Sequence, residues 1–106
     1  MIEENMKIID LQKKADEIID TIDKKFNCKH NINNTILHLL EELGEVANEL
    51  NKPNIRNEPI NKEHLGEELS DLLIFIARIA NLNNIDLEQS IKNKIGELNK
   101  RHNLTL

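Results

Sequence analysis

Two stretches of this chain place the same residue types at the same offsets. His38-Leu39-Leu40-Glu41-Glu42-Leu43-Gly44-Glu45-Val46 returns as His64-Leu65-Gly66-Glu67-Glu68-Leu69-Ser70-Asp71-Leu72. On a helix, residues three apart are neighbours on one side. Glu42 with Glu45, and Glu68 with Asp71, therefore form two matching carboxylate pairs. Four converging carboxylates repel one another unless a cation joins them, and an all-oxygen donor set selects Mg²⁺, Mn²⁺ or Ca²⁺. Such a cation suits a small anionic substrate, because it neutralises charge and lowers the pKa of an attacking water.

The acids sit where helical geometry makes them matter. At about 100° of rotation per residue, Glu68 falls inside the apolar arc centred on Leu72, between Phe75 and Ile79. Asp71 lies on the edge of that arc, and Glu67 lies further out. Glu42 adjoins the apolar stripe around Leu43 and Val46, with Glu45 further round and Glu41 and Glu49 nearby. An ionised carboxylate in an apolar setting costs on the order of several kcal/mol unless it is paired or metal-bound. Glu68 therefore needs a partner: a metal, or one of the cations Lys94 and Arg101. Against this stands the frequency of Glu on solvated helix faces, where it is a favoured helix former.

Lys94 and Arg101 share one edge of their helix, as ordinary surface charge or as a contact for a polyphosphate. His38 and His64 precede their acids, the reverse of the Glu-x-x-His order of di-iron bundles, so a surface or outer-shell role fits them better. Phe26 and Phe75, the only aromatics, read as core.

The elements that must hold these residues are helical throughout. The first helix spans about 3–27, with Ile8, Leu11, Ala15, Ile18, Ile22 and Phe26 as its stripe. A polar loop covers 28–33. The second helix spans about 34–51, on Ile36, Leu40, Leu43, Ala47 and Leu50. Pro53 and Pro59 make 51–61 a loop, since proline breaks helix. The third helix spans about 62–82. The fourth spans about 87–102, opened by Asp86 with Gln89 three residues on, and buries Leu87, Ile91, Ile95 and Leu98. The expected fold is all-α, a four-helix bundle-like core. The third helix is apolar around most of its circumference, which implies that part of it packs against another subunit.

The 106 residues suffice for a single domain, 1–106, with a modest core. A net charge of −5 argues against a nucleic-acid polymer as partner. Cys28 is the only cysteine, so no disulfide framework and no thiolate metal site is expected. Leu72 to Ala77, the longest apolar stretch, is too short to span a membrane. No basic leader opens the chain, and a cytoplasmic location is expected.

Glu41-Glu42-Leu43-Gly44-Glu45, a gap of 22 residues, then Glu68-Leu69-Ser70-Asp71 resembles the E-E-x-x-E … E-x-x-D signature of the MazG-like, all-α nucleoside triphosphate pyrophosphohydrolases. Leu11-Gln12 and the stretch from Asn93-Lys94 to Arg101 are similar to that family's phrasing too. The resemblance implies a dimer or tetramer with Mg²⁺, or Mn²⁺ in its place, on Glu42, Glu45, Glu68 and Asp71. Glu41 or Glu45 would take the proton from water, and Lys94, Arg101 and Gln12 would contact substrate. The implied reaction cleaves a (deoxy)nucleoside triphosphate between the α and β phosphates, giving monophosphate and pyrophosphate, as in nucleotide-pool housecleaning. Phosphoribosyl-ATP and dUTP pyrophosphohydrolases are the related alternatives. A non-catalytic helical interaction protein with a structural metal site is the alternative of another class. Many relatives stack the base on Trp; this chain has neither Trp nor Tyr, which leaves Phe26, Phe75 or a histidine for that role.

Overall fold

The computed structural model describes residues 5–106, all of whose regular structure is helical: α1 (Ile8–Phe26), α2 (Ile32–Ile55), α3 (Lys62–Leu82) and α4 (Leu87–His102). The expected all-α, bundle-like fold is observed. Helix α3 is the central element and packs against both α2 and α1, while α4 lies mainly against α1.

Asparagine and aspartate punctuate the chain. Asn31 accepts the Asn34 N–H at 3.1 Å, Asn61 the His64 N–H at 3.0 Å, and Asp86 the Gln89 N–H at 3.1 Å. Each side chain thus satisfies one of the donors that a helix start leaves without a partner. The left-handed positions are Asn27, Asn57, Asn84 and Asn103, with φ between 50° and 58°. Asparagine tolerates that region better than other Cβ-bearing residues, so this chain turns without glycine there.

Three expected boundaries move. Residues 3–4 lie outside the described residues, and α1 starts only after Lys7. Helix α2 begins at Ile32 and runs through Pro53 to Ile55, where a loop was expected. Proline costs the bond its missing N–H would give to the carbonyl of Glu49. The helix closes around it nonetheless, with the Arg56 N–H on the Lys52 carbonyl at 2.9 Å.

The buried faces also differ from the expected stripes. On α1 the buried line is Gln12, Ala15, Ile19 and Asp23, whereas Ile18, Ile22 and Phe26 are exposed, Phe26 by 68%. Phe26 therefore does not form core. On α2 the buried residues are Thr35, Val46 and Glu49, and Ile36, Leu40, Leu43 and Leu50 face outward. On α3, Glu68, Ala77, Arg78 and Ala80 are buried while Leu69, Leu73 and Ile76 are exposed. No residue of α4 is fully buried, with Ile91 and Ile95 exposed. Apolar periodicity alone misplaces these faces because the interior mixes small apolar residues with polar ones that bring their own partners.

Gln12 is the clearest of those. Its Nε2 donates to Asn81 Oδ1 at 2.9 Å and to the Ile85 carbonyl at 2.8 Å, and its Oε1 accepts the Leu87 N–H at 2.9 Å. Asn81 returns a bond to the Gln12 carbonyl at 2.7 Å. One buried amide thus ties α1 to the turn between α3 and α4. Arg78 ties α3 to α1 through Asp16 at 2.8 Å and Asp20 at 3.1 Å.

Candidate metal centre and active site

Because α2 packs along α3, their two acid pairs meet. Carboxylate oxygens of Glu42, Glu68 and Asp71 all lie within 4.8 Å of one another. Glu68 is only 6% exposed, as its place in the apolar arc required. Glu45 belongs to the same group: the adjacent Glu68 carboxylate pushes its pKa above the usual range. Glu68 is itself pushed up, first by Glu42 and further by burial. These are the marks of like charges forced together.

The donor set fits a hard divalent cation. One oxygen each of Glu42 and Glu68 (Oε2 in both) is buried and has no hydrogen-bond partner. A buried carboxylate oxygen left without a donor is costly, and a cation bound by several carboxylates supplies what each lacks. Glu42, Glu45, Glu68 and Asp71 are the residues that would hold it.

The cationic alternatives for Glu68 are not used. Lys94 and Arg101 lie together on α4, as expected, but both pair with Glu97 of the same helix, Lys94 at 3.2 Å. Among the described residues neither makes an ion pair with the acid cluster. The neighbour of Glu68 is His64, whose Nε2 stands 3.4 Å from Glu68 Oε1 and 4.0 Å from Glu49 Oε1. Glu49 is buried and held by the Asn61 N–H at 3.0 Å and Lys52 Nζ at 3.0 Å; the backbone donor foremost keeps its pKa low. It pins the α2–α3 connection. Glu41 stays outside the cluster, its side chain 69% exposed, with His38 Nδ1 at 3.5 Å. Gln12 has both amide hydrogens committed within the fold.

Beside the acids is a cleft of about 220 Å³ lined by Glu45, Asn48, Glu49, Lys52, Arg56 and His64. It sets two cations against the cluster. Sequence reading passed over Lys52 and Arg56 because Pro53 marked their segment as a loop. The signal was present: Glu45, Glu49, Lys52 and Arg56 follow a 4-3-4 spacing, one helical stripe. His38 stacks on Phe75 with ring centres 5.7 Å apart, and on its other side meets His30 at 5.0 Å.

The model of the MazG nucleotide pyrophosphohydrolase domain matches residues 30–105. The chain belongs to that family. The matched span takes in α2, α3 and α4, and with them every carboxylate of the cluster; α1 precedes it. No curated protein matches the chain. As a MazG-family member it carries a nucleotide pyrophosphohydrolase domain, and its α2–α3 acids could bind a divalent cation. No helix among the described residues is long and apolar enough to cross a membrane.

Proposed function

We propose that this chain, acting as one functional unit, hydrolyses nucleoside triphosphates between the α and β phosphates, releasing monophosphate and pyrophosphate with Mg²⁺ as cofactor. The observation that carries the proposal is the pair of buried, partnerless oxygens of Glu42 and Glu68, gathered with Asp71 beside a cleft that holds Lys52 and Arg56. Mg²⁺ on Glu42, Glu45, Glu68 and Asp71 would offset the triphosphate charge and acidify a water; Mn²⁺ would substitute.

The chain's own residues do the rest. Glu45 borders both the cluster and the cleft, where an oxygen not used as ligand would accept the proton of the attacking water. Glu41, one residue before the cluster, supports the site from outside. Lys52 and Arg56 face the cleft as contacts for the leaving pyrophosphate. Lys94 and Arg101 would reach substrate from a second copy of the chain. His64, beside Glu68 and lining the cleft, would orient that carboxylate.

The second copy is part of the proposal. Leu37, Leu40, Leu43 and Leu50 of α2 and Leu69, Leu73 and Ile76 of α3 are exposed large aliphatics on the two helices that build the site. Exposed aliphatics recurring along two packed helices suit an association face. We infer a homo-oligomer in which this face is covered. A nucleotide substrate and a single free cysteine suit a cytoplasmic setting.

The test is release of pyrophosphate from a panel of nucleoside triphosphates with Mg²⁺, comparing the wild type with Glu68→Gln. Monophosphate and pyrophosphate from the wild type alone support the proposal. Inactivity of both on every substrate, phosphoribosyl-ATP and dUTP included, overturns it.

A further inference from the structure

A second cluster of metal-ligating groups lies at the turn between α1 and α2, where the proposed reaction makes no use of it. Helix α1 ends at Phe26, and the left-handed Asn27 reverses the chain. The Cys28 N–H closes the turn on the Asp23 carbonyl at 2.9 Å. This folds Cys28 and His30 back over Asp23, which is only 8% exposed. The His30 N–H donates to Asp23 Oδ2 at 2.8 Å, and its Nδ1 lies 2.5 Å from Asp23 Oδ1. Cys28 Sγ lies 3.5 Å from that same Oδ1. One sulfur, one imidazole nitrogen and one carboxylate oxygen thus gather within 4.8 Å.

We propose that Asp23, Cys28 and His30 form a separate site for a borderline divalent cation of the Zn²⁺ type. The donor chemistry points away from Mg²⁺, which avoids sulfur, and toward zinc, which takes thiolate, imidazole and carboxylate together. Zinc bonds of about 2.0–2.3 Å in a tetrahedron place ligand atoms roughly 3.4–3.6 Å apart. The Sγ–Oδ1 separation of 3.5 Å already meets that spacing. The Nδ1–Oδ1 contact has to open by about 1 Å, as a cation replaces the proton that now joins them. The imidazole then carries its proton on Nε2, and metal binding releases that of the thiol.

Three protein donors leave a fourth position. Beside these donors is a cleft of about 410 Å³, in which Asp20, Asp23 and Cys28 stand with Lys24, Lys29 and Arg78. The Nε of Arg78 is buried and without a partner, in a side chain that is otherwise neutralised by Asp16 and Asp20. A small anion or water completing the coordination sphere would have Lys24 and Lys29 within the same cleft.

The test uses Co²⁺ as a spectroscopic stand-in, added to the reduced full-length chain. A thiolate-to-cobalt charge-transfer band in the near ultraviolet is expected, saturating at one equivalent and displaced by Zn²⁺ but not by excess Mg²⁺. The band is expected to vanish in Cys28→Ser and His30→Gln and to persist in Glu68→Gln, which disables the acid cluster alone. No sulfur band in the wild type overturns the proposal. So does a band that persists undiminished in His30→Gln, which would mark adventitious thiol binding. Alkylation of Cys28 in the wild type serves independently of any variant's folding. Equimolar Zn²⁺ is expected to slow it at least tenfold, and an unchanged rate counts against the site.

Discussion

His64 Nε2 stands 3.4 Å from Oε1 of Glu68, one helical turn further along α3, while the other oxygen of that carboxylate is buried with no partner. The first oxygen thus has the imidazole beside it, and the second is left for a cation. Outer-shell partners of this kind typically contribute about 10–100-fold to metal affinity or activity. His64→Ala is therefore expected to weaken Mg²⁺ binding by about 10–100-fold with helicity intact, as titration calorimetry and circular dichroism would read it.

Glu68→Gln removes a ligand and a repelling charge together. Activity is expected to fall by more than about 100-fold, beyond what an outer-shell change costs. Without metal the variant is expected to melt no lower than the wild type, because like-charge repulsion is relieved. Mg²⁺ is then expected to raise the wild-type Tm but not that of the variant. Thermal melts of both proteins with and without Mg²⁺ check this.

The raised pKa values of Glu45 and Glu68 give a pH dependence of definite sign. A carboxyl whose pKa is higher in the folded chain binds its proton more tightly there than in the unfolded chain. Its contribution to stability is present below the unfolded pKa and disappears as pH rises through the folded one. For Glu45 the cause is the adjacent Glu68, and for Glu68 it is foremost Glu42. The metal-free wild type is expected to lose Tm relative to Glu68→Gln as pH rises from about 4 to 7, and Mg²⁺ to reverse the trend. Glu49, held low by the Asn61 N–H, acts in the opposite sense and is common to both proteins.

Arg56 faces the cleft and makes no ion pair among the described residues. Arg56→Ala is expected to raise KM for a triphosphate roughly tenfold, with kcat little changed and no loss of Tm. Steady-state kinetics on wild type and variant would separate the two constants. Gln12→Ala is expected to behave oppositely. It removes three side-chain hydrogen bonds and strands the Leu87 N–H, at a cost of about 2–4 kcal/mol in unfolding by urea. The folded fraction should keep its KM.

Leu40 on α2 and Leu73 on α3 are exposed large aliphatics of the proposed association face. Leu40→Glu and Leu73→Glu are each expected to shift the chain from oligomer to monomer in sedimentation velocity, with helicity retained. A wild type already monomeric at micromolar concentration would reject the covered face.

Much of this was legible in the chain itself. The repeated His-x-x-x-Glu phrase set both acid pairs on helices, and the position of Glu68 in an apolar arc showed that it needed a partner. Asp86 marked the start of α4, and the scarcity of glycine left turns to asparagine. These are local properties: helical spacing and capping depend on neighbours a few residues away. Only the tertiary structure decided which distant groups would not be that partner. It kept Lys94 and Arg101 away from the cluster, because α4 packs mainly on α1, and left Glu68 beside His64 of its own helix. It carried α2 through Pro53, since one lost hydrogen bond near a helix end is outweighed by the contacts of Glu49 and Lys52, and so brought Arg56 to the cleft. It also turned Leu40 and Leu73 outward and Gln12 and Asp23 inward. Hydrophobic periodicity ranks residues by apolarity, whereas burial depends on whether a polar group finds its partners across the fold.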